Sequence, residues 1–340
     1  MKKLKIAALS MLLLTSLGMG ATTFAAEKAK DEGWDVPNIA LGNGLSEEEK
    51  QKTQEILLKD LGNVKELKGI DTAKHNDYLV DGNDLVKYVT DVPEFTSSSK
   101  AYSSALIART KSGTGVTVDI VTPENITART EAMYRSAAIT SGVYDAYIRI
   151  GSVRTMDGSG ALAGIYKIYD EVDPASDDAD QKSRDEKREV AQEQMQVVAG
   201  IDATNQDNSD YSSENILVML ADIQLELQKI NDKLSKLSED ERVKEVETIV
   251  IQQINNNGLA EAISPEQQQE IVSNMVAFTH TDAVTDSEMA KQLTGFKDDL
   301  VKNGKEFKDS LLSDENVEKA KSGFAKFWQG IKDFFSNLFS

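Results

Sequence analysis

Cysteine is absent from this chain of 340 residues, and histidine occurs only twice, at His75 and His280. The first absence excludes disulfides, thiolate metal sites, thiol nucleophiles and a lipid-modified cysteine anchor. The second leaves too few imidazoles for an ordinary zinc site, which needs three or four ligands. Both histidines therefore read as exposed or capping side chains, and no metal or cofactor is expected. Only 5 prolines argue against a long extended stalk. Basic residues are scarce as well: 38 Lys and Arg face 57 Asp and Glu, for a formal net charge of −19. A nucleic-acid duplex would be repelled by that field, so no nucleic-acid partner is expected.

What is present begins at the N-terminus. Lys2, Lys3 and Lys5 precede an apolar run from Ile6 to Met19, and small residues surround Ala25. A basic stretch, a short apolar stretch and a small-residue cleavage site make a secretory signal peptide over residues 1–25. The expected location is extracellular or at the cell surface, and export without cysteine suits a Gram-positive envelope. The remaining length is enough for two domains.

Two textures meet near the middle. Residues 40–169 mix strand and helix patterns, which predicts an α/β sandwich of about four strands with packed helices. Residues 185–312 read as helix, so the fold class expected is α+β, with an all-helical C-terminal region. The boundary is placed at 170–184, where crowded carboxylates and Pro174 suggest a solvated acidic linker. Ser46 and Glu49 form a capping box that opens a helix over 46–60. Val64 to Ile70 reads as a strand, and residues 76–89 as helical or irregular. Residues 102–109 and 116–121, joined by Lys111-Ser-Gly-Thr-Gly115, read as a hairpin.

The runs Asn125-Ile-Thr-Ala-Arg-Thr130, Met133-Tyr134, Ala137 to Val143, Asp145-Ala146 and Gly158 to Ile165 then carry a resemblance. Together with Ile251 to Asn257 and Ile263 to Gln267, they resemble the YpuA-like family, domain of unknown function 1002, over roughly residues 40 to 300. The resemblance implies an extracellular, envelope-associated protein and carries over no activity or catalytic residue. Residues 202–213 and the C-terminal tail depart from the family pattern.

Several strings imitate catalytic motifs. The Gly158-Ser-Gly160 run matches a dinucleotide fingerprint, but the acidic stretch stands where the fold would need another strand. Close packing explains these glycines more simply, although exposed amides there can hold an anion. Ser97 to Lys100 and Lys111 to Gly113 imitate penicillin-binding motifs at a spacing far too short for that fold. Basic residues do gather between Lys100 and Arg154. Gly158, Gly160, Arg135, Arg149 and Arg154 are therefore the candidate anion-binding residues, with anionic wall polymer or lipid head groups as the ligand class.

Ile216, Leu220, Ile223, Leu227, Ile230, Leu234 and Leu237 form a heptad seam, which serves either packing within a helical domain or a homo-oligomeric coiled coil. Packing against Val243, Val246, Val250 and Ile254, and against Ile271, Met275 and Phe278, is the favoured reading. At the C-terminus, Phe324, Phe327, Trp328, Ile331, Phe334, Phe335 and Leu338 recur at helical spacing. They predict an amphipathic aromatic helix over 313–340 that contacts an anionic membrane surface or a partner, or else docks on the chain itself. The function expected is a non-enzymatic envelope protein that binds or assembles, with no catalytic residues assigned. The alternative is a secreted hydrolase of wall polymer, using dispersed carboxylates and His75.

Overall fold

A computed structural model describes residues 33–303, apart from 93, 206, 207, 209 and 210. The signal-peptide and aromatic-tail expectations, including Phe324 to Leu338, lie outside the described residues.

Five strands form one mixed sheet: β1 (Asn38–Gly42), β2 (Asn76–Val80), β3 (Ser104–Arg109), β4 (Thr117–Ile120) and β5 (Ala146–Gly151), in the order β2-β1-β3-β5-β4. Parallel pairs lie at both edges, and β3 runs antiparallel to β1 and β5. The expected hairpin is corrected here. β5 stands between β3 and β4, so the glycine-rich Lys111 to Gly115 segment spans a strand and does not turn one back on its neighbour.

Side-chain alternation assigns the two sheet faces. On one face Ile39, Leu41, Leu106, Ala108 and Tyr147 bury Leu57 of α1 (Glu47–Leu58) and Leu61 and Leu67 beyond it. The 64–70 segment, expected as a strand, contains 3-10 turns. Val64, Leu67 and Ile70 are three residues apart, the period at which 3-10 side chains line up on one side. On the other face lies α4 (Ser159–Val172), packed on β1, β2 and β3 and against α2 (Gly82–Tyr88), while α3 (Glu131–Thr140) packs on β4. A Cβ on Gly164 would lie 2.8 Å from Ala40 Cβ, and one on Gly160 would lie 2.7 Å from Ser103 O. These glycines let α4 approach the sheet closely.

The helical region consists of α5 (Asp178–Thr204), α6 (Ser213–Lys229), the short α7 (Asn231–Leu234), α8 (Glu239–Asn256), α9 (Pro265–His280) and α10 (Ser287–Asn303). The predicted capping box at Ser46 with Glu49 is formed, and a second capping box stands at Ser264 with Gln267. One apolar cluster runs from Trp34 to Phe296, through the sheet's α4 face and into the helices. Within it Ile216, Leu220, Ile223 and Leu227 are buried inside the chain, together with Val243, Val246, Val250, Ile271, Met275 and Phe278. The helix carrying the heptads stops at Ile230, so the seam does not continue as one rod.

The acidic stretch also differs from expectation. Residues 170–172 end α4, Asp177 caps α5 by accepting from Asp180 N at 2.9 Å, and residues 178–184 are helical. Two of the carboxylates pair with arginines of α5. Arg184 Nε lies 3.2 Å from Asp180, and Arg188 Nη1 lies 3.0 Å from Asp170. Burial alone would raise the Asp170 pKa, but Arg188 outweighs it and holds the group low.

Candidate functional site

The cleft with the most varied chemistry lies where the sheet meets α10. Arg109, Thr110 and Ser112 come from the end of β3 and the following loop, Gly142, Tyr144 and Asp145 from the α3-to-β5 turn, Tyr169 from α4 and Glu288 from α10. They surround about 340 Å³.

Asp145 fixes the geometry of this turn. Its φ of 48° lies in the left-handed region, which a residue with a short polar side chain tolerates better than most. Its carbonyl accepts from Thr110 N at 2.7 Å, and its carboxylate accepts from Gly115 N at 2.9 Å and Gln292 Nε2 at 3.0 Å. Next to it, the Tyr144 hydroxyl donates to Asp286 at 2.7 Å. Asp286 also receives the Glu288 amide at 2.8 Å and so pins the start of α10. Burial, reinforced by Asp286, pushes the Tyr144 hydroxyl well above the ordinary phenol range, so it remains a proton donor.

The opposite wall is cationic and aromatic. The Arg109 guanidinium sits 4.7 Å from the Trp34 ring centre and 3.6 Å from Asp173. Trp34 in turn meets Tyr169 at 6.3 Å, and the Tyr169 hydroxyl donates to Gly142 O at 3.2 Å. Thr110 Oγ1 is buried and has no hydrogen-bond partner among the described residues. The cleft thus presents a guanidinium, two carboxylates, hydroxyls and aromatic rings on a backbone held from both sides, a combination suited to a polar ligand with hydroxyl groups and an apolar face.

The candidate anion-binding residues do not converge. Arg149 is buried beneath α1, where Nη1 donates to Leu57 O at 3.0 Å and Lys59 O at 2.6 Å while Nε donates to the Tyr147 hydroxyl at 3.0 Å. It satisfies carbonyls left open at the end of that helix. Arg154 grips the other end of α1 through a two-point contact with Glu49, at 2.6 and 2.9 Å. That contact comes first among the causes that hold Glu49 down at about 2. Arg135 pairs with Asp299 at 2.7 Å across to α10. At the start of α4, Gly158 has φ 98° and its carbonyl accepts from the Tyr134 hydroxyl at 2.8 Å. The nearby amides are served internally: Ser159 N donates to Asp157 at 3.0 Å and Ala161 N to Ser103 Oγ at 3.0 Å.

The histidines are far apart in role. His75 meets Gln54 at 2.7 Å, whereas His280 lies beside Arg242 and Glu239. Among the described residues no group of three or more His, Asp or Glu side chains is arranged to hold a metal ion. Nor is any described helix long and apolar enough to cross a membrane.

A buried ionic joint escaped the sequence reading. Arg129 Nη2 pairs with Asp91 at 2.5 Å, and Nη1 lies 3.7 Å from Asp157. Burial raises the Asp91 pKa despite that partner. Nearby, Arg188 of α5 lies 5.4 and 5.5 Å from the ring centres of Tyr88 and Tyr166 and fastens the helical region to α2 and α4. The hint in the sequence was Arg129 itself, inside the run 125–130.

A mixed five-stranded sheet with a helical layer and a polar cleft at their joint defines a class of mixed α/β proteins by architecture. Within that class, the family model described as "Protein of unknown function (DUF1002)" matches residues 41–296, and the chain belongs to that family. It is also similar to the "Uncharacterized protein YpuA" of Bacillus subtilis (strain 168), at 25% identity over 298 residues, covering 87% of this chain and 89% of that protein. No solved structure matches.

Proposed function

We propose that the protein is exported and acts at the cell envelope as a binding protein, with the cleft between Arg109 and Glu288 as its recognition site for a hydroxyl-rich wall polymer. The observation that carries this reading is the cleft itself: donors, acceptors and aromatic rings on one rigid rim. Export is supported by the basic and apolar pattern of residues 1–25. A glycan strand supplies hydroxyls to Asp145 and Glu288 and an apolar ring face to Tyr169, while Arg109 takes its more acidic substituents.

Co-sedimentation of the purified protein with isolated cell-wall polymer tests this. Ser112 is exposed at the rim, so Ser112→Trp fills the mouth of the cleft without disturbing a buried group. The expected result is binding by the parent protein and a loss of at least about tenfold in Ser112→Trp, equal to roughly 1.4 kcal/mol. Equal sedimentation of both proteins, or of neither, rejects the reading. Release of soluble polymer fragments identifies a hydrolase instead.

A further inference from the structure

A second cavity, in the helical region, has a different chemistry. About 260 Å³ is enclosed by Asn231, Leu234 and Ser235 at α7, Arg242 of α8, Thr279 of α9, and Val284 and Thr285 beyond it. The three hydroxyls on this wall share one pattern. Ser235 Oγ donates to Asp232 O at 3.1 Å, Thr279 Oγ1 to Val276 O at 2.7 Å and Thr285 Oγ1 to Asp282 O at 3.0 Å. A hydroxyl has one hydrogen, and each of these hydrogens is committed to a backbone carbonyl. What the three hydroxyls retain is lone pairs. Asn231 commits one of its two amide hydrogens to Gln228 O at 2.7 Å, and its side-chain oxygen remains as an acceptor.

Arg242 stands opposite in character. Its Nη1 lies 3.0 Å from His280 Nδ1 and 3.5 Å from Glu239, and its Nη2 reaches Leu234 O only at 3.4 Å. Its Nε is buried and has no hydrogen-bond partner among the described residues. A simple anion such as sulfate would meet one guanidinium and a ring of lone pairs, and the lone pairs would repel it. A simple cation would be repelled by Arg242. The complement is a molecule that carries a carboxylate next to an N–H donor, with a small apolar group for Leu234 and Val284.

We propose that this cavity binds the carboxyl end of a small amino acid, either free or terminating a short peptide. The carboxylate pairs with Arg242 and the adjacent nitrogen donates to the hydroxyl and amide oxygens. The site is independent of the cleft near Arg109, so either assignment can fail without the other.

Calorimetric titration of the purified protein with alanine, N-acetylalanine and alaninamide tests it. Binding of alanine alone indicates a free amino acid, and binding of N-acetylalanine indicates a peptide terminus. Alaninamide lacks the carboxylate and is expected to give no heat. Arg242→Met, which keeps an apolar stem of similar length, is expected to weaken binding at least about tenfold. If that variant fails to fold by circular dichroism, Thr285→Val removes one lone-pair acceptor while keeping the shape, and a loss of at least about threefold is expected. The proposal is overturned if neither alanine nor N-acetylalanine binds at millimolar concentration, if alaninamide binds as well as they do, or if the folded variants bind like the parent.

Discussion

The sheet region and the helical region bury polar groups in different currencies. The core beside the sheet contains charges: Arg129, Arg149 and the incoming Arg188 are almost fully buried. The helices bury neutral amides, with Gln194, Gln224, Gln228, Asn274 and Gln292 in their core. Each charged group meets an opposite charge or carbonyls, as Arg129 does Asp91 and Arg149 the carbonyls at the end of α1, while Arg129 Nε and Asp91 Oδ1 find no partner among the described residues. The amides are left half-satisfied: Gln194 Nε2, Gln224 Oε1, Gln228 Oε1 and Asn274 Oδ1 find no partner among the described residues. A buried charge without its partner is far more costly than a buried amide with one empty valence, so the two regions tolerate imperfect pairing differently. The charged joints hold elements at fixed positions, while the amides fill space between helices whose register is already set by apolar side chains.

The largest effect should come from breaking a charged joint. Arg129→Met removes the guanidinium and leaves the Asp91 carboxylate buried without a counter-charge. Such a break typically costs about 3–5 kcal/mol, measurable by urea unfolding. Adding Asp91→Asn removes the stranded charge and should recover at least about 1 kcal/mol of the loss. Strict additivity of the two substitutions would mean that the pair is not coupled as its geometry indicates.

A second substitution probes the amide side of the comparison. Gln224 is fully buried, and its one side-chain hydrogen bond among the described residues is a long 3.4 Å donation to Thr140 Oγ1. Thr140 keeps its own donation to Gln194 Oε1 at 3.2 Å when that contact is lost. Gln224→Leu is close in volume and removes an acceptor that has no donor. Its stability should stay within about 1 kcal/mol of the parent in the same urea titration. A loss matching that of Arg129→Met would erase the distinction between the regions.

Legibility in the sequence followed the same division between local and distant forces. Caps and apolar periods act within one or two turns, which is why Ser46 with Glu49 and the buried heptad positions of α6 could be read directly. Strand order depends on pairing between distant segments, and nothing local to Lys111–Gly115 reveals that β5 will separate β3 from β4. β1 went unread because all five residues of Asn38–Gly42 are buried, leaving no alternation to detect. The basic residues between Lys100 and Arg154 suggested one anion-binding face. Their partners, Glu49, Asp299 and the carbonyls of Leu57 and Lys59, lie far away in sequence and draw them apart. The cleft was hidden for a similar reason, since its walls come from residues 109–112, 142–145, 169 and 288.

The smallest predicted effect has a sign that distinguishes a carboxylate held by a cation from one held by an amide. Glu193 on α5 is raised above the ordinary carboxyl range first by burial, against a single 3.3 Å donation from Asn274 Nδ2 and with Glu189 adding repulsion. A raised carboxyl pKa means that ionisation is resisted more in the folded state than in the unfolded chain. Its penalty is therefore absent below the unfolded pKa and develops as pH rises through the folded value. Glu193→Gln removes the ionisation and should stabilise the protein at pH 7 relative to the parent, with the advantage shrinking as pH falls through the folded pKa and gone below the unfolded one. Thermal unfolding of both proteins across that range checks the sign. An advantage that grows on acidification would mean that Glu193 is held as a stabilised anion, and the helical region would then depend on charge much as the sheet region does.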